Sequence, residues 1–110
     1  MIAALGLLVG IVVGVLVQPS VPESLQPYLP IAVVAALDAV FGALRAILDG
    51  VFSDRVFVVS FVSNVLVAAL IVFLGDQLGV GAQLSTGVIV VLTVRIFANA
   101  AAIRRRLFKA

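Results

Sequence analysis

The chain reads as four apolar runs separated by three short stretches in which proline, glycine or charge collects. The first run covers residues 1–17 and contains no charged side chain. Residues 18–29 break the pattern and, with Pro30, carry all four prolines: Pro19, Pro22, Pro27 and Pro30. Proline fixes φ and has no N–H to donate, so this segment predicts a loop. Pro30 suits the start of the next helix, where the missing donor is harmless. The second run covers 30–48, and a polar connection follows at 49–55. The third run covers 56–74, a glycine-rich turn lies at 75–83, the fourth run covers 84–103, and residues 104–110 form a basic tail.

The runs are rich in valine, which in water would suggest strands. In lipid, an open sheet leaves backbone N–H and C=O groups unpaired, and four spans cannot close a barrel. The expected fold is therefore an all-α membrane protein: a compact bundle of four transmembrane helices, or three if the first run is too short to cross. At 1.5 Å per residue that run reaches only about 25 Å against a hydrocarbon core of about 30 Å. Its rival is a cleaved signal peptide, but no basic segment precedes it and no A-x-A site follows, so a retained helix is expected.

Composition sharpens this picture. Of the 110 residues, 65% are hydrophobic and 11% charged, with a mean hydropathy of +1.39, leaving too little polar surface for a soluble domain. One domain is all the length allows. Cysteine and histidine are absent, which excludes disulfides and thiolate metal sites and removes the commonest general base. No phosphate loop and no zincin or nucleophile-elbow motif occurs. The expected protein is not an enzyme and holds no metal or cofactor.

The charges are distributed unevenly. With four spans, both termini and the 49–55 connection share one side, which holds Arg55, Arg104, Arg105, Arg106 and Lys109; the opposite loops hold Glu23 and Asp76 and no basic residue. The positive-inside rule then puts both termini in the cytoplasm. The tail of three arginines followed by Leu107, Phe108 and Lys109 suits the headgroups of an anionic leaflet, or serves as a topology signal alone. Nucleic-acid binding is not expected from so short a run with no folded module around it.

Two features within the runs could carry function. Gly6, Gly10 and Gly14 form a stripe along one face of the first helix, where small residues let another backbone approach; its partner is the rest of the chain, another copy or another protein. Asp38, Asn64 and Arg95 fall near the middle of the second, third and fourth spans. A lone charge at that depth costs about 2.5–3.5 kcal/mol on the mildest scale, so an Asp38–Arg95 pair helped by the Asn64 amide is expected. Arg45, Ser60 and Asn99 form a second polar layer nearer the basic side, with Arg45 able to reach Asp49 four residues on. This cluster is either a clamp that sets helix register or part of a path through the bundle.

The stretch from Ala36 to Gly81, which includes A-L-D-A-V-F-G-A-L-R-A-I-L-D-G-V-F-S-D-R-V-F and S-N-V-L-V-A-A-L-I-V-F-L-G-D-Q-L-G-V-G, resembles the bacterial small basic protein family, as does V-R-I-F-A-N-A-A-A-I-R-R-R-L-F from Val94 to Phe108. The resemblance covers nearly the whole chain. It implies a multi-pass protein of the bacterial plasma membrane, often encoded near cell-division and envelope genes. It matches Asp38, Arg45, Asp49, Asn64, Asp76, Arg95 and Asn99 to the motif's polar members but assigns them no role. The function expected is a non-enzymatic membrane subunit or assembly factor, working as a homo-oligomer or within a larger complex. The alternative is a small homo-oligomeric transporter or ion channel. The topology has a direct test in intact cells: Gln77→Cys should react with an impermeant thiol reagent and Lys109→Cys should not, and the reverse pattern would overturn it.

Overall fold

The computed structural model describes residues 1–18 and 20–110; the break expected at Pro19 lies outside the described residues. The architecture is all-α. Four helices follow one another along the chain: α1, Ile2–Val17; α2, Leu29–Leu48; α3, Asp54–Gln77; and α4, Gly81–Phe108. No strand occurs among the described residues. The segment Glu23–Leu48 and helices α3 and α4 are each long and apolar enough to cross a membrane, whereas α1, at 16 residues, is a shorter apolar helix.

The helix ends explain where the boundaries depart from the hydropathy pattern. Part of the loop expected at 18–29 winds into a 3-10 helix at Glu23–Tyr28, opened by a bond from Leu25 N–H to the Pro22 carbonyl. Pro30 stands in the first turn of α2, as its chemistry favours. The far end of α2 closes with Gly50 at φ 74°, the Gly50 N–H bonded to the Ile47 carbonyl and the Val51 N–H to the Ala46 carbonyl. The end of α3 repeats the arrangement: Gly79 at φ 77°, with bonds from Gly79 to Asp76 and from Val80 to Gly75. Both are Schellman closures, which need a left-handed residue and use glycine for it.

The connections are consequently shorter than expected. Ser53 is extended and its hydroxyl accepts the Val56 N–H at 3.4 Å, so α3 starts at Asp54 rather than 56. Residues 75–77 and 81–83, expected in a glycine-rich turn, are helical, and only 78–80 turn the chain. Gly75 and Gly81 serve a different purpose. A Cβ on Gly81 would overlap the Asp76 carboxylate, and one on Gly75 would come within 2.6 Å of the Leu84 side chain and 3.2 Å of the Gly81 Cα. They let α3 and α4 approach closely at their junction. At the other end, the expected tail is mostly helix: α4 continues to Phe108, and Lys109 takes the left-handed cap at φ 57°.

An ion pair between the Met1 amino terminus and Asp54, and a 2.7 Å bond from Arg106 Nη2 to the Leu48 carbonyl, gather the chain start, the α2–α3 connection and the end of α4 at one end of the bundle. Helices α2 and α4 therefore run parallel to each other, and α1 and α3 run the opposite way. Helix α4 packs along both α2 and α3, and α1 rests more loosely on α2 and α3. The half of the bundle away from the basic end holds the apolar core, in which Ile31, Ala68 and Val72 are buried with Tyr28, Val88 and Ile89 packed against them.

Adding a methyl group to a tightly packed helix junction costs about 1–3 kcal/mol. Gly75→Ala should lower stability by that amount in thermal unfolding of the detergent-solubilised protein. Gly87→Ala, with nothing within 4 Å of the added carbon, should be neutral or raise stability, because alanine is the better helix former by about 1 kcal/mol.

Candidate functional site

Asp38 lies halfway along α2, on the face that also buries Ile31 and Ala35. The residue is 4% exposed, and one carboxylate oxygen, Oδ2, meets Arg95 Nη2 of α4 at 3.3 Å. Because α2 and α4 are parallel and end together, and Asp38 and Arg95 lie 10 and 13 residues before those ends, the two positions arrive at similar depth. The expected help from Asn64 is not there: Asn64 lines the same cavity as the pair, but the second oxygen, Oδ1, is buried with no hydrogen-bond partner. The Arg95 side chain is 52% exposed where that of Asp38 is 5% exposed, so the pair has one buried end and one open end.

The second polar layer is more connected than the sequence suggests. Arg45 Nη1 donates to Asn99 Oδ1 at 3.2 Å, and Arg45 Nε lies 4.0 Å from Asp49 Oδ2. Arg106 Nη1 approaches the other oxygen of Asp49 at 3.9 Å while its Nη2 holds the Leu48 carbonyl. Gly42 lies beside this layer, and a Cβ added to it would meet the Asn99 amide nitrogen at 3.7 Å, an ordinary van der Waals contact. Each ion pair is half exposed and worth little alone. Together they fasten the end of α2 to α4. Arg106 was expected at lipid headgroups and not in this layer. The orphan carbonyls at the end of any helix were the available signal for Arg106. Ser60 joins no bond in this layer and lines the cavity beside Asn64.

The remaining candidates separate. Gly6, Gly10 and Gly14 have nothing within 4 Å of an added carbon, so of the partners left open for this stripe the rest of the chain is not in close contact with it. Ala3, Ala4, Leu7 and Ile11 are the partly covered residues of α1, and at about 100° per residue the glycine stripe lies roughly a quarter turn from them. Of the four basic residues expected at lipid headgroups, Arg106 is engaged as described, and Arg104 Nε donates to the Ala110 carbonyl at 3.3 Å. Arg105 and Lys109 are exposed.

A cavity of about 210 Å³ lies between α2 and α3. Small residues of α2 (Ala39, Gly42 and Ala46) form one wall, and Phe57, Ser60 and Asn64 of α3 form the other, with Asp38 and Arg95 at its inner end. Among the described residues, no group of three or more acidic or sulfur-bearing side chains could hold a metal ion. If the contact carries energy, Asp38→Asn should destabilise the bundle by about 2.5–3.5 kcal/mol through the unpaired guanidinium it leaves at mid-depth. Adding Arg95→Gln should restore part of that loss. A double-mutant cycle on thermal stability checks it, and strictly additive losses would count against the contact.

Comparison with known proteins gives the geometry a lineage. A family model described as "Protein of unknown function (DUF1290)" matches residues 21–108. "Uncharacterized protein Rv1824" of Mycobacterium tuberculosis (strain ATCC 25618 / H37Rv) is 70% identical over 110 residues, covering all of this chain and 91% of its own length. "Small basic protein" of Bacillus subtilis (strain 168) is 42% identical over 103 residues, 94% of this chain and 84% of its own. No solved structure matches the chain. The match to the family model runs from the 3-10 helix through the last turn of α4 and takes in the Asp38–Arg95 pair and the Arg45–Asn99 layer, and the chain belongs to the small basic protein (DUF1290) family.

Proposed function

We propose that the protein is a non-enzymatic integral membrane subunit or assembly factor of the bacterial plasma membrane, with both termini and the basic end of the bundle in the cytoplasm. One observation carries this reading. The Arg95 side chain, at mid-depth of α4, is 52% exposed although Asp38 holds one of its nitrogens. Lipid tails offer it no acceptor, and polar groups at that depth turn toward protein or water. A neighbouring polypeptide covering this flank would complete its hydrogen bonding. The uncovered glycine face of α1 supports the same reading, because small residues in lipid favour close contact with another helix. The orientation rests on the gathering of basic residues at one end. The link to division or envelope machinery rests on the family resemblance alone.

A second reading, a small homo-oligomeric transporter or ion channel, is favoured by the cavity that reaches Asp38. Purification of the tagged protein from its own membranes in mild detergent separates the two. A defined partner at fixed stoichiometry is the expected result. A homo-oligomer would shift the reading to transport, and a lone 11.4 kDa chain would sink both.

A further inference from the structure

The cavity between α2 and α3 runs from Val51, Phe52 and Ser53 at the basic end to Asp38, Asn64 and Arg95 in the middle of the bundle. Ser53 and Asn64 are eleven residues apart, so at 1.5 Å per residue it extends about 16 Å along α3. Beyond Asp38 the character of the interior changes: Ile31, Ala68 and Val72 close the bundle with apolar side chains. Asp38 stands at the boundary between the polar half and the sealed half, and its Oδ1 is buried without a donor.

We propose that this cavity is an aqueous vestibule, entered from the basic end, which brings water to the Asp38–Arg95 pair and stops there. Three observations select water over other occupants. The cavity volume is about 210 Å³, far above the roughly 10–15 Å³ that admits one water molecule by the same kind of measure. Polar groups occur at intervals along it between alanines and phenylalanines (Ser53, Ser60, Asn64, Arg95 and Asp38), and waters need such partners to enter. Arg95 already balances the charge of Asp38 at 3.3 Å, so the inner end has no net negative charge to draw a second cation. The Asp38–Arg95 pair is then in contact with solvent from one side of the membrane and insulated from the other, a one-sided arrangement that a dry register clamp does not need.

The chain has no native cysteine, so single-cysteine variants give a clean readout in sealed vesicles of known orientation. Ala39→Cys and Ser60→Cys probe the vestibule, Ala68→Cys and Val72→Cys probe the apolar seal, and Lys109→Cys reports the side of the basic end. Each variant is used once its elution and helix content match those of the parent. A small, charged, membrane-impermeant methanethiosulfonate reacts with a hydrated thiolate and poorly with a thiol in apolar surroundings, so positions 39 and 60 should be modified at least about tenfold faster than 68 and 72. That modification should occur from the side that labels Lys109→Cys. The proposal is overturned if positions 39 and 60 react no faster than 68 and 72, as a lipid-filled cleft would give, or if they react equally from both sides. It rests on the bilayer reading but not on the assembly reading, because a chain that purifies as a lone monomer would show the same rates.

Discussion

The contact between Asp38 and Arg95 is the interaction on which the arrangement of the helices depends. Each residue alone would be an unpaired charge at the depth where it is most costly. Pairing them requires α2 and α4 to lie side by side at one fixed axial offset, since a slide of one turn is about 5.4 Å and would separate the groups. With that offset set, the ends of the two helices come level, and Arg106 meets the Leu48 carbonyl and Asp49. Helix α3, joined to both by turns of a few residues, has little freedom left. The polar layer of Arg45 and Asn99 and the cap by Arg106 are in this sense downstream of a single ion pair.

The bundle divides into two unlike halves at this pair. On one side the interior is small and apolar, and it closes tightly enough that Val72 is 1% exposed. On the other side α2 offers alanines and glycine, α3 offers phenylalanines and serine, and the helices stand apart around a cavity. Small residues usually draw helices together in lipid. Here the bulk of Phe57 and Phe61, whose rings stack at 6.4 Å, holds the other wall away.

Much of this was legible in the sequence, for identifiable reasons. Long apolar runs in a chain with 11% charge leave helices as the only spanning structure. Asp38 and Arg95 were conspicuous because charge is rare there, and their spacing from the helix ends put them level. What was not legible depended on three-dimensional proximity. Gly75, Gly79 and Gly81 look alike in sequence, yet one sets a left-handed turn and two allow backbones to approach. Asn64 stood at the right depth for Asp38, but depth does not fix the direction of an amide. The glycine stripe on α1 is regular enough to suggest a packing face, yet the covered side of that helix is set by Ala4, Leu7 and Ile11. Periodicity identifies a face and leaves open what lies against it.

The charged residues at the basic end follow a further rule. A helix carries partial positive charge at its N-terminus and partial negative charge at its C-terminus. At this end α2 and α4 finish, with Arg45 in the last turn of one and Arg105 and Arg106 in the last turn of the other, while α3 begins with Asp54 in its first turn. Every helix dipole that terminates there among these three is met by a side chain of opposite sign. The same arginines that gather at the basic end therefore also neutralise the ends of the helices they belong to. Moving the positive charge to the far end would expose two uncompensated negative poles, so the charge asymmetry of the bundle and its stability are coupled through the same few side chains.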